Sequence, residues 1–285
     1  MDLSIIVLNY NGRIWLENLL PSLQAHYLAL TKREVEVVVI DNASTDDSLV
    51  YLNQLQGIRL LTSPQNLGFA AGNNLALSTI QSRYVLLLNS DTECMPTLSN
   101  FDVLLDWMDA NPLVGIATPK VLLQENKLDL ACHRGEPTLW AAFTYFSGLE
   151  KLMGKSSLFG QYHLTNRLQD SIHEIDACSG AAMMVRTDAM RKVGLLDERF
   201  FMYAEDLDWC KRFQERGFKV VYFPIISILH HKYKSGFDNQ SLTTRRTTKK
   251  WFYSTMLQYY DKHYSDKYPK LMRWLLKLFV RLKAS

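Results

Sequence analysis

Four short runs, Leu3–Asn9, Val35–Asp41, Ile58–Thr62 and Tyr84–Asn89, are apolar over most of their length. A strand with one wet face alternates apolar and polar residues. These do not, so each is expected to be covered on both faces. Amphipathic segments separate or follow them: Ile14–Leu30 (apolar at 16, 19, 20 and 23), Ser44–Leu55 behind an N-cap-like STDDS start, Phe69–Ile80 and Thr97–Ala110. This alternation predicts an α/β fold with a mostly parallel central sheet, right-handed crossovers and helices on both faces. Residues 124–176 are less regular and read as an insertion or lid. The pattern resumes at Ala181–Arg186, followed by a short helix from Thr187 and a helix ending at Arg216. The strands Lys219–Phe223 and Ile226–His230 come last.

The chain has 285 residues, 47% of them hydrophobic, enough for one large core with an appendage. No run approaches the roughly 18–20 uncharged apolar residues of a spanning helix. The start, MDLSIIVLNYNG, has an acid at position 2 and no basic n-region, so a signal peptide is not expected. The four cysteines form no CxxC pair, which favours reduced thiols and a cytoplasmic location.

In an open α/β sheet, ligands gather beyond the carboxyl ends of the strands. Four polar clusters fall there: Asn9-Tyr10-Asn11, Asp41-Asn42, Asn89-Ser90-Asp91 and His230-His231. Asp41 ends an apolar strand and needs a partner if buried. Tyr10 suits either ring stacking or the core. His230 and His231, being adjacent in a strand, must face opposite ways.

A fifth cluster stands in FFMYAEDLDWC (200–210), where Glu205, Asp206 and Asp208 sit among aromatic residues. Burial raises a carboxylate's pKa, which is one way to make a general base. Asp208, two positions on, points elsewhere on a helix and suits structural support. Glu205 is open between positioning an acceptor and pairing with a basic residue. Asp197 is a turn-fixing acid and a minor acceptor-side candidate, while Arg186 and Arg212 read as structural. The turn after the first strand, NYNGR, has one glycine, so neither a dinucleotide fingerprint nor a P-loop is present. A divalent cation on Asp91 could neutralise a diphosphate instead.

Seven segments, SIIVLNYNG (4–12), VVVIDNASTDDS (37–48), NLGFAAGNN (66–74), LLLNSDTE (86–93), SGAAMMVR (179–186), VGLLDERFFMYAEDLDWCKR (193–212) and the His230 to Ser235 spacing, together point one way. The chain resembles the inverting family 2 glycosyltransferases of GT-A fold, in particular their rhamnosyltransferase-like branch. The resemblance implies a glycosyltransferase domain over residues 1–235 and a helical basic extension over 236–285. It implies transfer of a sugar, with L-rhamnose a candidate, from a dTDP- or UDP-sugar to a hydroxyl of a glycan or lipid-linked saccharide in cell-surface polysaccharide assembly. Tyr10 would lie against the nucleobase, and Asp41 would bond the pyrimidine. Asn11, Asn42, Asn66, Gly68 and Asn73 would border the donor. Asn89-Ser90-Asp91 would be the acidic motif, with Asp91 and His230 at the metal. Asp206 would be the base, with Glu205 beside it. Where many relatives have Asp first in that motif this chain has Asn89, which implies Mg²⁺ or Mn²⁺ weakly held. Two alternatives remain open: a sugar nucleotidyltransferase, for which NYNGR is a poor loop, and a non-catalytic sugar-nucleotide binding module.

Charge is unevenly spread. From Arg245 onward there are eleven basic residues against two acids, in a chain whose total is +3. Residues 269–283, PKLMRWLLKLFVRLK, put Lys270, Arg273, Lys277 and Arg281 on one stripe and apolar residues on the rest of the circumference. Such a helix is expected either to lie on an anionic membrane, at its cytoplasmic face, or to pack on the body. The interspersed Leu, Phe and Val argue against nucleic acid as the partner.

Overall fold

The computed structural model describes residues 1–232 and 242–284. Ser235 and the expected boundary at 235/236 lie outside the described residues. The strands are β1 (Leu3–Asn9), β2 (Val35–Asp41), β3 (Ile58–Thr62), β4 (Tyr84–Asn89), β5 (Thr92–Cys94), β6 (Val114–Leu122), β7 (His173–Glu174), β8 (Ala182–Arg186) and β9 (Lys219–His230). They form one sheet in the order β3-β2-β1-β4-β8-β6-β9-β5, with β7 beside β9.

The run β3-β2-β1-β4 is parallel throughout, as their two-sided apolar sequences predict. Beyond it the sheet is mixed. β8 pairs antiparallel with both β4 and β6, and β6 runs parallel to β9. Direction here follows from how the chain re-enters after the long 123–181 excursion, which apolar patterning does not encode. The expected strands at 219–223 and 226–230 are one strand. Its register against β6 jumps from Pro119↔Phe223 to Lys120↔Ser227, so Pro224 sits in a bulge, where a missing N–H does no harm.

The helices are α1 (Arg13–Leu23), α2 (Ser48–Leu52), α3 (Gly68–Leu77), α4 (Phe101–Ala110), α5 (Leu139–Phe146), α6 (Leu149–Met153), α7 (Thr187–Val193), α8 (Glu205–Glu215), α9 (Leu242–Tyr264) and α10 (Lys270–Ala284). The helix expected over 14–30 is α1, which contains Pro21, followed by a π-helical turn at Gln24–Leu28. α3 packs on β1 and β2 closely enough that a Cβ on Gly72 would lie 2.7 Å from Leu8. α4 and α8 pack on β9. Tyr259, Tyr260 and Tyr264 of α9 are buried in the same core as β1 and β4. No described helix is long and apolar enough to cross a membrane, and all four cysteines are free and buried.

Candidate active site

The strand ends come together through specific contacts. Asn9 and Asp41 are register partners across β1 and β2. The Asn9 amide reaches Asp41 Oδ1 at 3.4 Å and Ser44 Oγ at 3.1 Å, and the Ser44 amide donates to Asp41 Oδ2 at 3.0 Å. Asp41 thus finds the partners its burial requires. Ser44 serves this loop, and Asp47 is the N-cap residue of α2. Asn11 adopts a left-handed φ of 53° and accepts from the Thr45 amide at 2.7 Å. Tyr10, at the end of β1, is 49% exposed, so its ring is open to a ligand. A Cβ on Gly12 would sit 3.4 Å from Ser90 Oγ, which places this loop against Asn89-Ser90-Asp91.

Asn42 bridges outward: its amide donates to Asn66 Oδ1 (3.0 Å) and the Gly68 carbonyl (3.1 Å), and its Oδ1 accepts from Leu67 N. Asn66 also accepts from Gly68 N, and Asn73 donates to the Phe69 carbonyl. Asn42, Asn66 and Asn73 therefore hold the 66–69 loop in shape with their side chains. Gly68 has φ +79°, and a Cβ there would lie 2.2 Å from the Phe201 carbonyl oxygen, to which Phe69 N donates at 2.7 Å. Only glycine allows this approach, which ties the loop to the segment leading into α8.

On the other side, His230 stands between two carboxylates. Its Nδ1 donates to Asp129 Oδ2 at 2.9 Å, and its Nε2 lies 3.3 Å from Asp91 Oδ1. Burial alone would lower the imidazole pKa, but the bonds to Asp129 and Asp91 outweigh it and push it up to about 9. Asp129 is buried, yet His230 and Lys232 hold its carboxyl well below the usual range. His231 faces the other way, bonding Glu93 at 2.8 Å and stacking on Trp15.

The donor set at Asp91 and His230 fits a divalent cation. It offers one hard oxygen and one imidazole nitrogen whose other nitrogen is fixed by a carboxylate, an arrangement common around metal-binding histidines. Among the described residues no group of three or more such ligands forms. A cation held there by two protein ligands would need its remaining positions filled from substrate and water.

α8 begins with Glu205 and Asp206, behind Tyr203 and Ala204, both in left-handed conformations that turn the chain sharply inward. Asp206 is nearly buried. Its Oδ2 meets Arg134 Nη2 at 2.5 Å and its Oδ1 accepts the Leu207 amide at 2.8 Å. Arg134 also donates to the Cys178 carbonyl, and Asp206 outweighs burial to hold its guanidinium protonated. Glu205 is buried, and its Oε2 has no hydrogen-bond partner among the described residues. Burial, and then the neighbouring Asp206 charge, raise its carboxyl well above the usual range. The two acids thus differ: Asp206 sits against a guanidinium, whereas burial and the Asp206 charge disfavour the ionised form of Glu205.

Asp208 is fully buried and bonded by Arg212 (2.8 Å), His263 (2.7 Å) and Lys262, so it anchors α8 to α9. Asp197 pairs with Arg199 and with Lys262 at 2.7 Å. Arg186 donates to carbonyls at 108, 111 and 114. Sequence reasoning passed over Asp129 and Arg134. They lie five residues apart in DLACHRG, and that short stretch touches both halves of the site, His230 at one end and Asp206 at the other. The available signal was two charges flanking an apolar Leu-Ala-Cys run inside a stretch without secondary-structure period.

Residues 4–193 match the profile of Glycosyl transferase family 2. The chain belongs to that family. α8 with Asp206 lies beyond the matched residues, so its place in the site rests on the contacts above. Among curated relatives, an N-acetylglucosaminyl-diphospho-decaprenol L-rhamnosyltransferase of Mycobacterium tuberculosis is 26% identical over 99% of this chain and 91% of its own length. A low-salt glycan biosynthesis hexosyltransferase, Agl10 of Haloferax volcanii, is 25% identical over 81% of this chain and 67% of its own. Among solved structures, the mannosyltransferase PcManGT of Pyrobaculum calidifontis, in complex with GDP-Man and Mn²⁺, superposes with a TM-score of 0.61 at 16% identity, over 99% of this chain and 70% of that one. TarS of S. aureus gives 0.60 at 16%, over 99% of this chain and 43% of the longer TarS chain. The GT-A architecture, including a mixed sheet and C-terminal helices, is therefore that of a glycosyltransferase.

Proposed function

We propose that this family 2 member transfers a sugar from a dTDP- or UDP-sugar to a hydroxyl of a lipid-linked saccharide, with inversion, and that L-rhamnose is the sugar. The observation that supports the reading most is the stretch 129–134, which bonds His230 at one end and Asp206 at the other. One crevice between them would hold both the diphosphate and the attacking hydroxyl. The decaprenol-linked acceptor and rhamnosyl group named for the Mycobacterium relative support the choice of acceptor and sugar.

In this reading Tyr10 lies against the nucleobase and Asp41 accepts a hydrogen bond from it. Asp206 accepts the proton of the acceptor hydroxyl as that oxygen attacks the anomeric carbon, and the nucleoside diphosphate leaves from the opposite face. Glu205, protonated, donates a hydrogen bond from its unpartnered oxygen to the acceptor, and Arg134 fixes the carboxylate's rotamer. His230, carrying a proton near neutral pH, adds positive charge beside the leaving diphosphate. A Mg²⁺ or Mn²⁺ ion held weakly by Asp91 and His230 Nε2 would take the place of the Nε2 proton and supply the counter-charge in its stead. A base so positioned contributes about 10²–10⁴-fold in rate. The helix α10 lies on the cytoplasmic face of the membrane, where such an acceptor is presented.

A thermal-shift screen of UDP, dTDP and GDP and their sugars, with and without Mn²⁺, tests the donor. Stabilisation grows with ligand over Kd, so dTDP-rhamnose with Mn²⁺ should raise Tm most. A flat response across all nucleotides would refute the reading.

A further inference from the structure

α10 divides into three faces. Leu276, Phe279 and Val280 turn inward, Phe279 meeting Phe146 of α5 at 5.2 Å and Tyr253 of α9 at 6.2 Å between ring centroids. Leu271, Trp274, Leu275 and Leu278, spaced i, i+3, i+4 and i+7, form a second face and are all exposed. Lys270 and Lys277 flank it on the side away from the packed face. The neighbouring α5–α6 hairpin repeats this composition: Phe143 is 55% exposed and Leu152 80%, with Trp140 and Met153 also exposed.

Lys151 and Lys155 are the exposed charges of residues 139–158. The one acid there, Glu150, is buried and bound to His163 at 2.8 Å. Residues 270–284 contain no acid at all. Two adjoining elements thus present apolar side chains beside lysines and carry no exposed carboxylate of their own, while the half-exposed Asp261 of α9 is taken up by Arg273. Apolar side chains interspersed with lysines complement an anionic lipid surface, which supplies apolar contact and negative charge together. A chain of ring contacts links the hairpin to the site: Phe146 contacts Tyr253, Tyr253 contacts Phe252, Phe252 contacts Tyr203, and the adjoining Trp251 packs on Phe201, just ahead of the candidate base.

We infer that the α5–α6 hairpin is a second membrane anchor, which docks with α10 on an anionic bilayer and holds the acceptor side of the crevice towards it. This rests on the transfer reading for its purpose, but its test does not depend on turnover. Full-length protein is co-sedimented with phosphatidylcholine vesicles with and without phosphatidylglycerol, comparing wild type, Phe143→Glu/Leu152→Glu, Lys151→Glu/Lys155→Glu and Leu275→Glu. Light scattering gives the oligomeric state, and a thermal shift with dTDP and Mn²⁺ reports the donor site separately. Both hairpin variants should partition into phosphatidylglycerol vesicles roughly tenfold or more weakly than wild type, since each basic residue near an anionic surface adds severalfold to binding. Their dTDP shift should equal that of wild type. Wild-type partitioning in both hairpin variants, or no vesicle binding by wild type, overturns the proposal, as does a wild-type dimer that Phe143→Glu/Leu152→Glu makes monomeric without changing vesicle binding. Loss of the dTDP response in wild type would instead count against the transfer reading.

Discussion

Replacing Arg134 by Met leaves the Asp206 carboxylate without its 2.5 Å guanidinium partner in a place where the two side chains are only 10% and 12% exposed. Removing one member of a buried pair strands the other charge and costs about 3–5 kcal/mol. Asp206 keeps its bond from the Leu207 amide, so a loss of about 3 kcal/mol, near the low end, is expected. Adding Asp206→Asn removes the stranded charge. The double variant should therefore be more stable than Arg134→Met alone, with a coupling of about 2 kcal/mol. Urea unfolding of wild type, both single variants and the double variant measures this directly, with midpoint and slope read separately. Transfer by Arg134→Met should fall about tenfold or more, within the range a misplaced base loses. An Arg134→Met protein within 1 kcal/mol of wild type, or a double variant no more stable than it, would refute the reasoning.

Glu205 titrates above the usual carboxyl range when folded, so the folded state binds more protons than the unfolded one and stability falls as pH rises through that window. Glu205→Gln should remove that share of the fall, gaining on wild type at pH 8 relative to pH 5; parallel stability curves would contradict this. His230, pushed up to about 9, contributes up to about 3 kcal/mol that is present below pH 6.5 and lost as pH rises towards 9. A cation on Nε2 must displace that proton, so Mn²⁺ should raise Tm more at pH 8.5 than at pH 6.5, and equal shifts would argue against His230 as a ligand. Gly68→Ala places a Cβ against the Phe201 carbonyl at positive φ, which should cost about 1–3 kcal/mol in urea unfolding.

The parallel half of the sheet was legible because β1 to β4 are apolar on both faces, and the polar residues ending β1, β2 and β4 come together as their strand-end positions predicted. β6 was not legible: Gly115 and Pro119 interrupt its pattern, and its pairing with β8 and β9 is long-range. Asp208's structural role and the opposed directions of His230 and His231 followed from helix and strand periods. Arg134 and Asp129 could not be found that way, since long-range partners placed by an irregular excursion leave no local signature. Likewise, α10's four exposed residues and its inward Phe279 look alike in sequence; only the position of α5 and α9 separates them.

The most direct test of the central claim pairs two measurements on Asp206→Asn: donor affinity by calorimetry and transfer rate at saturating donor and acceptor. With Asp206 as the base, donor Kd should stay within about threefold of wild type and kcat should fall by about 10²–10⁴. Transfer at the wild-type rate, or a loss of donor binding equal to the loss of turnover, would contradict it.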